Sequence, residues 1–416
     1  VSIFELSALL LSLSAVLGWV NLRFLRMPHT IGLLVMGLAA SLLLVLLEVA
    51  YPEEQLHDAL VAALRQIDFS ATVMEGMLAF LLFAGALHVD FGALRSRASS
   101  VALMASAGVL VSTAVVGVGL WLLADSLGVP VPLAWALVFG ALISPTDPVA
   151  VLSTLKVVQV PPALETEMKG ESLFNDGTGV VLFTVLLAVA VGTGEGHAAP
   201  TPLGILRLFL VEAGGGAMLG AAAGWLAYRM MREVDDYPTE TLITLGLVTG
   251  TYALGSALHL SGPIAVVVAG LLVGNRGPRD ALSDETQRHL FGFWTLLDEI
   301  LNSVLFLLIG LEVLVLRFEP GFAPIAAGAV ILSLAGRFAA VSVPVLALRR
   351  RLAFGPGTIP LLTWGGLRGG ISVALALSLP ETEVKPVLLA ATYAVVVFSI
   401  AVQGSTLARV ARATMR

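Results

Sequence analysis

Gly170-Glu171-Ser172-Leu173-Phe174-Asn175-Asp176-Gly177 runs without a break into an apolar segment, Thr178 to Gly192. Together they predict a helix long enough to cross a bilayer, with two carboxylates and an amide drawn into its length. On a helix Glu171 and Asn175 stand at i, i+4 and share one strip; Ser172 and Asp176 share the strip beside it. One face therefore presents several oxygen atoms together. Carboxylates at that depth are costly in hydrocarbon and mark a functional site. The bland alternative puts Glu171 at the water interface and makes the others helix caps, but apolar chain follows Asp176 directly.

Around that stretch the whole chain is apolar. Of 416 residues 57% are hydrophobic and 12% charged, with a mean hydropathy of +0.95. Soluble domains carry roughly 25% charge, so the expectation is an all-α polytopic membrane protein, with membrane lipid as its surroundings and no nucleic-acid partner. Cysteine is absent, which excludes disulfides and thiolate metal sites. The first segment carries Glu5 and no basic stretch, unlike a cleavable signal peptide. The chain starts at Val1 and stops at Arg416 soon after an apolar run, which leaves open a soluble tail beyond it.

Apolar runs predict about thirteen spans, near 3–21, 30–49, 70–88, 99–123, 132–155, 170–192, 203–230, 239–258, 262–274, 290–315, 323–348, 358–379 and 386–408. On the side of the N-terminus the connections hold only Arg65, Arg317 and Lys385. Arg207, Arg337 and Arg368 fall within spans, and the other 17 of the 23 Lys and Arg lie on the opposite side. The positive-inside rule makes that crowded side cytoplasmic, with the N-terminus outside and the C-terminus inside. A bias this strong would degrade with one span miscounted, which supports an odd number.

Two correspondences relate the halves. Ile31-Gly32-Leu33-Leu34-Val35-Met36-Gly37-Leu38 in span two matches Ile264-Ala265-Val266-Val267-Val268-Ala269-Gly270-Leu271 in span nine. Phe80-Leu81-Leu82-Phe83-Ala84-Gly85 in span three echoes Leu305-Phe306-Leu307-Leu308-Ile309-Gly310 in span ten. Each pairs a span with the one seven later, so the two six-helix repeats are inverted across the membrane, the build of many secondary transporters. Such a build carries discontinuous helices in corresponding places. Span five contains Ser144-Pro145-Thr146-Asp147-Pro148, where two prolines remove backbone donors. Seven spans later stands Gly365-Gly366-Leu367-Arg368-Gly369-Gly370. Broken helices at that depth line cavities, and their exposed ends suit the charges of Asp147 and Arg368. A kinked span with a capping Asp147, and a glycine-packed crossing with Arg368 snorkelling outward, are the plainer readings.

Arg337 lies mid-span and must be paired, with Glu171 as first choice and Asp176 as second. Glu75, near the outer half of span three, is a vestibule acid, a partner for Arg368, or an interface residue. Asp298, Glu299 and Glu312 read as solvated ends of span ten. The six histidines form no metal-ligand spacing. Asp147, Glu171 and Asp176 against Arg337 and Arg368 leave a net charge of minus one, with Thr146, Ser172 and Asn175 as neutral groups. One monovalent cation or one proton neutralises that charge. Oxygen ligands suit a hard cation. Competition between the two at Asp176, carried across by alternating access, is electroneutral cation/proton exchange.

Thr146-Asp147-Pro148, Gly170 through Gly177 and Gly365-Gly366-Leu367-Arg368-Gly369, in this order, resemble the sodium/proton antiporters of the NhaP/NHE branch. Leu81 through Asp90 of span three is also similar. The resemblance covers the whole membrane domain and implies thirteen helices and a homodimer in the plasma (inner) membrane. It also implies core helices near 70–192 and 290–379 and interface helices near 1–49 and 203–274. It makes Asp176, Asp147, Thr146 and Ser172 the Na⁺ ligands, and pairs Glu171 with Arg337 as a clamp beside Asn175. The Asn175-Asp176 pair resembles the electroneutral branch. No cofactor is implied; Na⁺ (or Li⁺) and H⁺ are the substrates. A K⁺/H⁺ exchanger on the same scaffold is the first alternative. An intramembrane aspartyl protease using Asp147 and Asp176 leaves both arginines unexplained, and a channel lacks its repeated pore loops. Twenty Arg to three Lys suggests a GC-rich prokaryotic source.

Overall fold

The structure is a computed structural model that describes residues 3–50, 69–147, 160–192, 202–312, 320–350, 352, 354–355 and 357–414. Every regular element among them is helical: α1 (Ile3–Val20), α2 (His29–Ala50), α3 (Phe69–Leu87), α4 (Phe91–Ser126), α5 (Leu133–Leu142), α6 (Pro162–Gly192), α7 (Pro202–Met231), α8 (Tyr237–Ala257), α9 (Gly262–Asp280), α10 (Asp284–Glu312), α11 (Ala323–Leu348), α12 (Thr358–Trp364), α13 (Gly370–Leu377) and α14 (Lys385–Thr414). Eight apolar stretches among the described residues are long enough to cross a membrane.

Local chemistry sets the ends. Asp90 caps α4, its Oδ1 accepting the N–H groups of Gly92 (2.6 Å) and Ala93 (3.1 Å). Ser261 caps α9, with proline in its first turn. The short span expected at 262–274 runs on to Asp280, because Asn275 fastens its polar end. The Asn275 amide donates to the Val89 carbonyl (2.9 Å), and its oxygen accepts the Phe91 N–H (2.6 Å). Wider, π-helical turns occur in α3 at Thr72–Met77, in α4 at Met104–Gly108 and in α14 at Ser399–Gly404.

The packing follows the sequence correspondence between the halves. α2 lies on α10 and α9 lies on α3. Gly37 permits the first approach, since a Cβ there would stand 3.2 Å from Gly310 Cα. Gly270 permits the second, since a Cβ there would stand 3.0 Å from the Phe83 carbonyl oxygen. The Ser41 hydroxyl adds a bond to the Gly310 carbonyl (2.8 Å). One apolar core joins α4, α5 and α10–α14 with parts of α1 and α2 and the first turns of α3. A smaller one gathers α3, α7, α8 and α9 around Trp294, whose indole N–H donates to Thr244 Oγ1 (3.0 Å). α6 contributes to both.

Two helices are broken where the prolines and glycines stand. α5 stops at Leu142, and Ser144 to Asp147 are not helical; Pro148 and the rest of span five, 148–155, lie outside the described residues. Span twelve splits into α12 and α13 around 365–369.

Candidate ion-binding site

The two breaks cross and touch. The Asp147 N–H donates to the Leu367 carbonyl (2.8 Å), so backbone freed at one break is satisfied at the other. Each break receives the charge that suits its helix end. Arg368 Nη1 donates to the Ser144 and Pro145 carbonyls, the latter at 2.9 Å, just past the C-terminal, electronegative end of α5. The Asp147 carboxylate lies against Gly369 at the N-terminal end of α13; a Cβ on Gly369 would come within 2.6 Å of Asp147 Oδ2. Arg368 is 2% exposed, and its own N–H donates to Ser399 Oγ (2.8 Å) from the π-helical turn of α14.

α6 supplies the facing strips. Glu171, Ser172, Asn175 and Asp176 are all buried. Asn175 reads the first break through two bonds: Nδ2 donates to Thr146 Oγ1 (2.8 Å), and Oδ1 accepts the Thr146 N–H (3.2 Å). Ser172 Oγ lies 2.9 Å from Thr146 Oγ1. Glu171 turns away from this group. It forms a two-pronged pair with Arg337 of α11, Nη1 to Oε1 and Nη2 to Oε2 (2.9 Å), while Arg337 Nε donates to the Leu362 carbonyl (3.1 Å). Arg337 thus takes the first of its two expected partners, and Asp176 is left to the site.

Asp147, Thr146 and Asp176 line the inner end of a cavity of about 870 Å³, together with Pro145, Gly369, Gly370 and Ser372. Its mouth is lined by Leu22, His29, His88, Val160, Glu165 and Lys169. Ser172 and Asn175 stand behind Thr146 rather than on the cavity wall. Hard oxygen donors converge here, in a setting fit for a monovalent cation or a proton. Among the described residues no His/Cys/Asp/Glu group has the spacing of a metal centre.

Asp298 and Glu312 sit elsewhere than the sequence suggests, and Glu75 fits the interface alternative among its three. Glu75 lies on the π-helical turn of α3 and is exposed; it is not part of the cavity wall. Nor is it the partner of Arg368, whose guanidinium holds the Ser144 and Pro145 carbonyls instead. Asp298, expected at a solvated end, is half-buried on the cavity wall, with Asn302 Nδ2 donating to its Oδ1 (3.0 Å). Glu312, also expected to be solvated, is buried beside Tyr393. The signal for Asp298 was its i, i+4 spacing to Asn302.

Crossed, interrupted helices that present opposite charges around buried carboxylates are the build of a secondary transporter. Residues 10–413 match the family described as sodium/hydrogen exchanger, transmembrane. The chain is 46% identical over 420 residues to the Na⁺/H⁺ antiporter NhaP of Pseudomonas aeruginosa, covering 98% of this chain and 96% of that one. It is 37% identical over 392 residues to the Na⁺/H⁺ antiporter NhaH of Halobacillus dabanensis, covering 92% and 91%. The fold is similar to that of the sodium proton antiporter MjNhaP1 from Methanocaldococcus jannaschii, with a TM-score of 0.74 at 17% identity over 99% of this chain and 98% of that one. The chain belongs to the transmembrane sodium/hydrogen exchanger family. It is a multi-pass membrane protein of a transporter family, and the protease alternative falls.

Proposed function

We propose that this protein exchanges Na⁺ or Li⁺ for H⁺ by alternating access, with Asp176 binding cation and proton in turn. The observation that carries the reading is the meeting of Asp147 and Asp176 at the inner end of one cavity, beside the ends of two broken helices. Asp147, Thr146 and Ser172 complete the cation's oxygen set. The names of the curated relatives, Na⁺/H⁺ antiporters aligned over nearly the full chain, support the same substrates. Exchange of two cations calls for no cofactor.

Glu171 and Arg337 cancel each other, so Asp147 and Asp176 against Arg368 leave one negative charge to be filled. One Na⁺ or one H⁺ fills it equally, and the cycle is electroneutral at one to one. With thirteen spans the termini lie on opposite sides, and the Lys/Arg bias puts the N-terminus outside and the C-terminus in the cytoplasm of a prokaryotic cell. On that assignment the cavity opens inward, since His29, His88 and Lys169 belong to the basic side. α1, α2 and α7–α9 form the face of a homodimer; exposed Leu9, Val16 and Trp19 on α1 and Met218, Trp225 and Leu226 on α7 supply apolar surface for it.

A pH-sensitive dye inside proteoliposomes tests the reading, with Na⁺, Li⁺ and K⁺ added separately. Na⁺ and Li⁺ are expected to move protons, and the response is expected to be indifferent to an imposed membrane potential. A response to K⁺ in place of Na⁺ makes the protein a K⁺/H⁺ exchanger. A current tied to exchange overturns the one-to-one count.

A further inference from the structure

α10 lays one face along the cavity from its mouth to the crossed breaks. Thr295, Asp298, Asn302 and Leu305 recur at helical spacing on the cavity wall. At the top the Thr295 hydroxyl meets His88 Nε2 (3.0 Å); at the bottom Leu305 packs on Gly370, at the start of α13. Asp298 is seven residues before Leu305, about 10 Å above the breaks along the helix axis. Its carboxylate is positioned rather than loose. Asn302, itself 3% exposed, donates Nδ2 to both Asp298 Oδ1 (3.0 Å) and the Asp298 carbonyl (2.9 Å). The charge that bears most on it is Asp147 of the site below, with Glu299 next.

The cavity wall carries Asp147, Asp176, Asp298 and Glu299; its one lysine, Lys169, is held by Glu165 at 2.7 Å. A cleft with low-dielectric walls and one sign of charge concentrates the opposite ion. Asp298 is the half-buried member of that set standing between the mouth and the crossed breaks. We propose that Asp298 is a cation-recruiting residue: it raises the occupancy of the Asp147–Asp176 site from the cavity side, and from that side only, without being a ligand in the transported complex. The idea rests on the exchange reading above.

The test is Na⁺-dependent exchange in vesicles of both orientations, with wild type, Asp298→Asn and Asp298→Glu. Asparagine keeps an oxygen for the Asn302 amide and removes only the charge. The Asn variant is expected to raise half-saturating Na⁺ on the cavity face roughly two- to fifteenfold, the Coulomb attraction of one charge at about 10 Å between the limits of bulk water and a protein surface. The maximum rate is expected within about twofold of wild type, half-saturation on the opposite face unchanged, and Glu to restore the wild-type value. Equal rises on both faces, no rise, or a fall in maximum rate alone overturns the proposal. Should Asp298→Asn not fold, wild type still decides. Half-saturation on the cavity face must rise more steeply with added choline chloride than on the other face, and equal slopes overturn it. Wild type that exchanges no cation in either orientation overturns the exchange reading instead.

Discussion

Replacing Glu171 with alanine removes both carboxylate oxygens that hold Arg337 and leaves a guanidinium, 6% exposed at its side chain, with only the Leu362 carbonyl on its Nε. Stranding one member of a buried ion pair costs about 3–5 kcal/mol. Unfolding entropy near 2.1 cal/mol/K per residue, over 416 residues, gives about 0.9 kcal/mol/K, so the melting temperature falls by about 3–6 °C. Spans that stay helical on heating release less entropy and make the shift larger. The assay is thermal unfolding of detergent-purified protein, followed by loss of the monodisperse peak. Three variants complete the cycle: Glu171→Ala, Arg337→Leu and the two combined. The double variant should recover most of the loss, since it strands no charge. An unchanged melting temperature for Glu171→Ala, or a double variant as unstable as the sum of the singles, refutes the claim that this pair is a structural clamp.

Asp176→Asn should abolish Na⁺-driven proton movement in the dye assay while the protein elutes and melts as wild type; exchange at the wild-type rate removes Asp176 from the site. Gly369→Ala would place a methyl against Asp147 Oδ2. Asp147 Cβ would also stand 2.8 Å away, so turning the carboxylate does not relieve the contact and the residue must shift with its backbone; exchange should fall at least tenfold and the melting temperature should fall with it. Glu75→Gln changes an exposed residue away from the cavity wall and should leave the rate and half-saturation of exchange within about twofold of wild type.

Much of the site was legible because its chemistry is written locally. Glu171, Ser172, Asn175 and Asp176 share a helix face by spacing alone, and two prolines or four glycines inside an apolar run announce a break. Spacing alone offered Arg337 both Glu171 and Asp176, in that order, and the division of the two strips rested on the family resemblance. Assigning Glu171 to Arg337 depends on where α11 packs, some 166 residues downstream. Asp298 was misread through a boundary. A span starting near 290 puts an acid at 298 close to its end, but α10 begins at Asp284 and carries Asp298 about 20 Å inward. Glu75, open between vestibule acid, Arg368 partner and interface residue, fits the last: it is exposed on the π-helical turn at Thr72–Met77, beside Tyr252, whose hydroxyl donates to the Met74 carbonyl (2.5 Å). Hydrophobic periodicity assumes a regular helix and has no term for an extra residue in one turn.

The contact of Gly37 with Gly310 bears on how the chain is made. α2 leaves the ribosome long before the surface it packs against exists; 273 residues separate the two glycines. At roughly 5–20 residues per second the wait is about 15–55 s. α3 is also made well before α9, so the first half spends that interval with its packing faces, the Gly37 groove among them, turned to lipid or the insertion machinery. Neither half can be finished alone. A nascent chain stalled before Gly310 should therefore remain open to protease and exchange lipids along α2, and close only once α10, ending at Glu312, has been made and inserted.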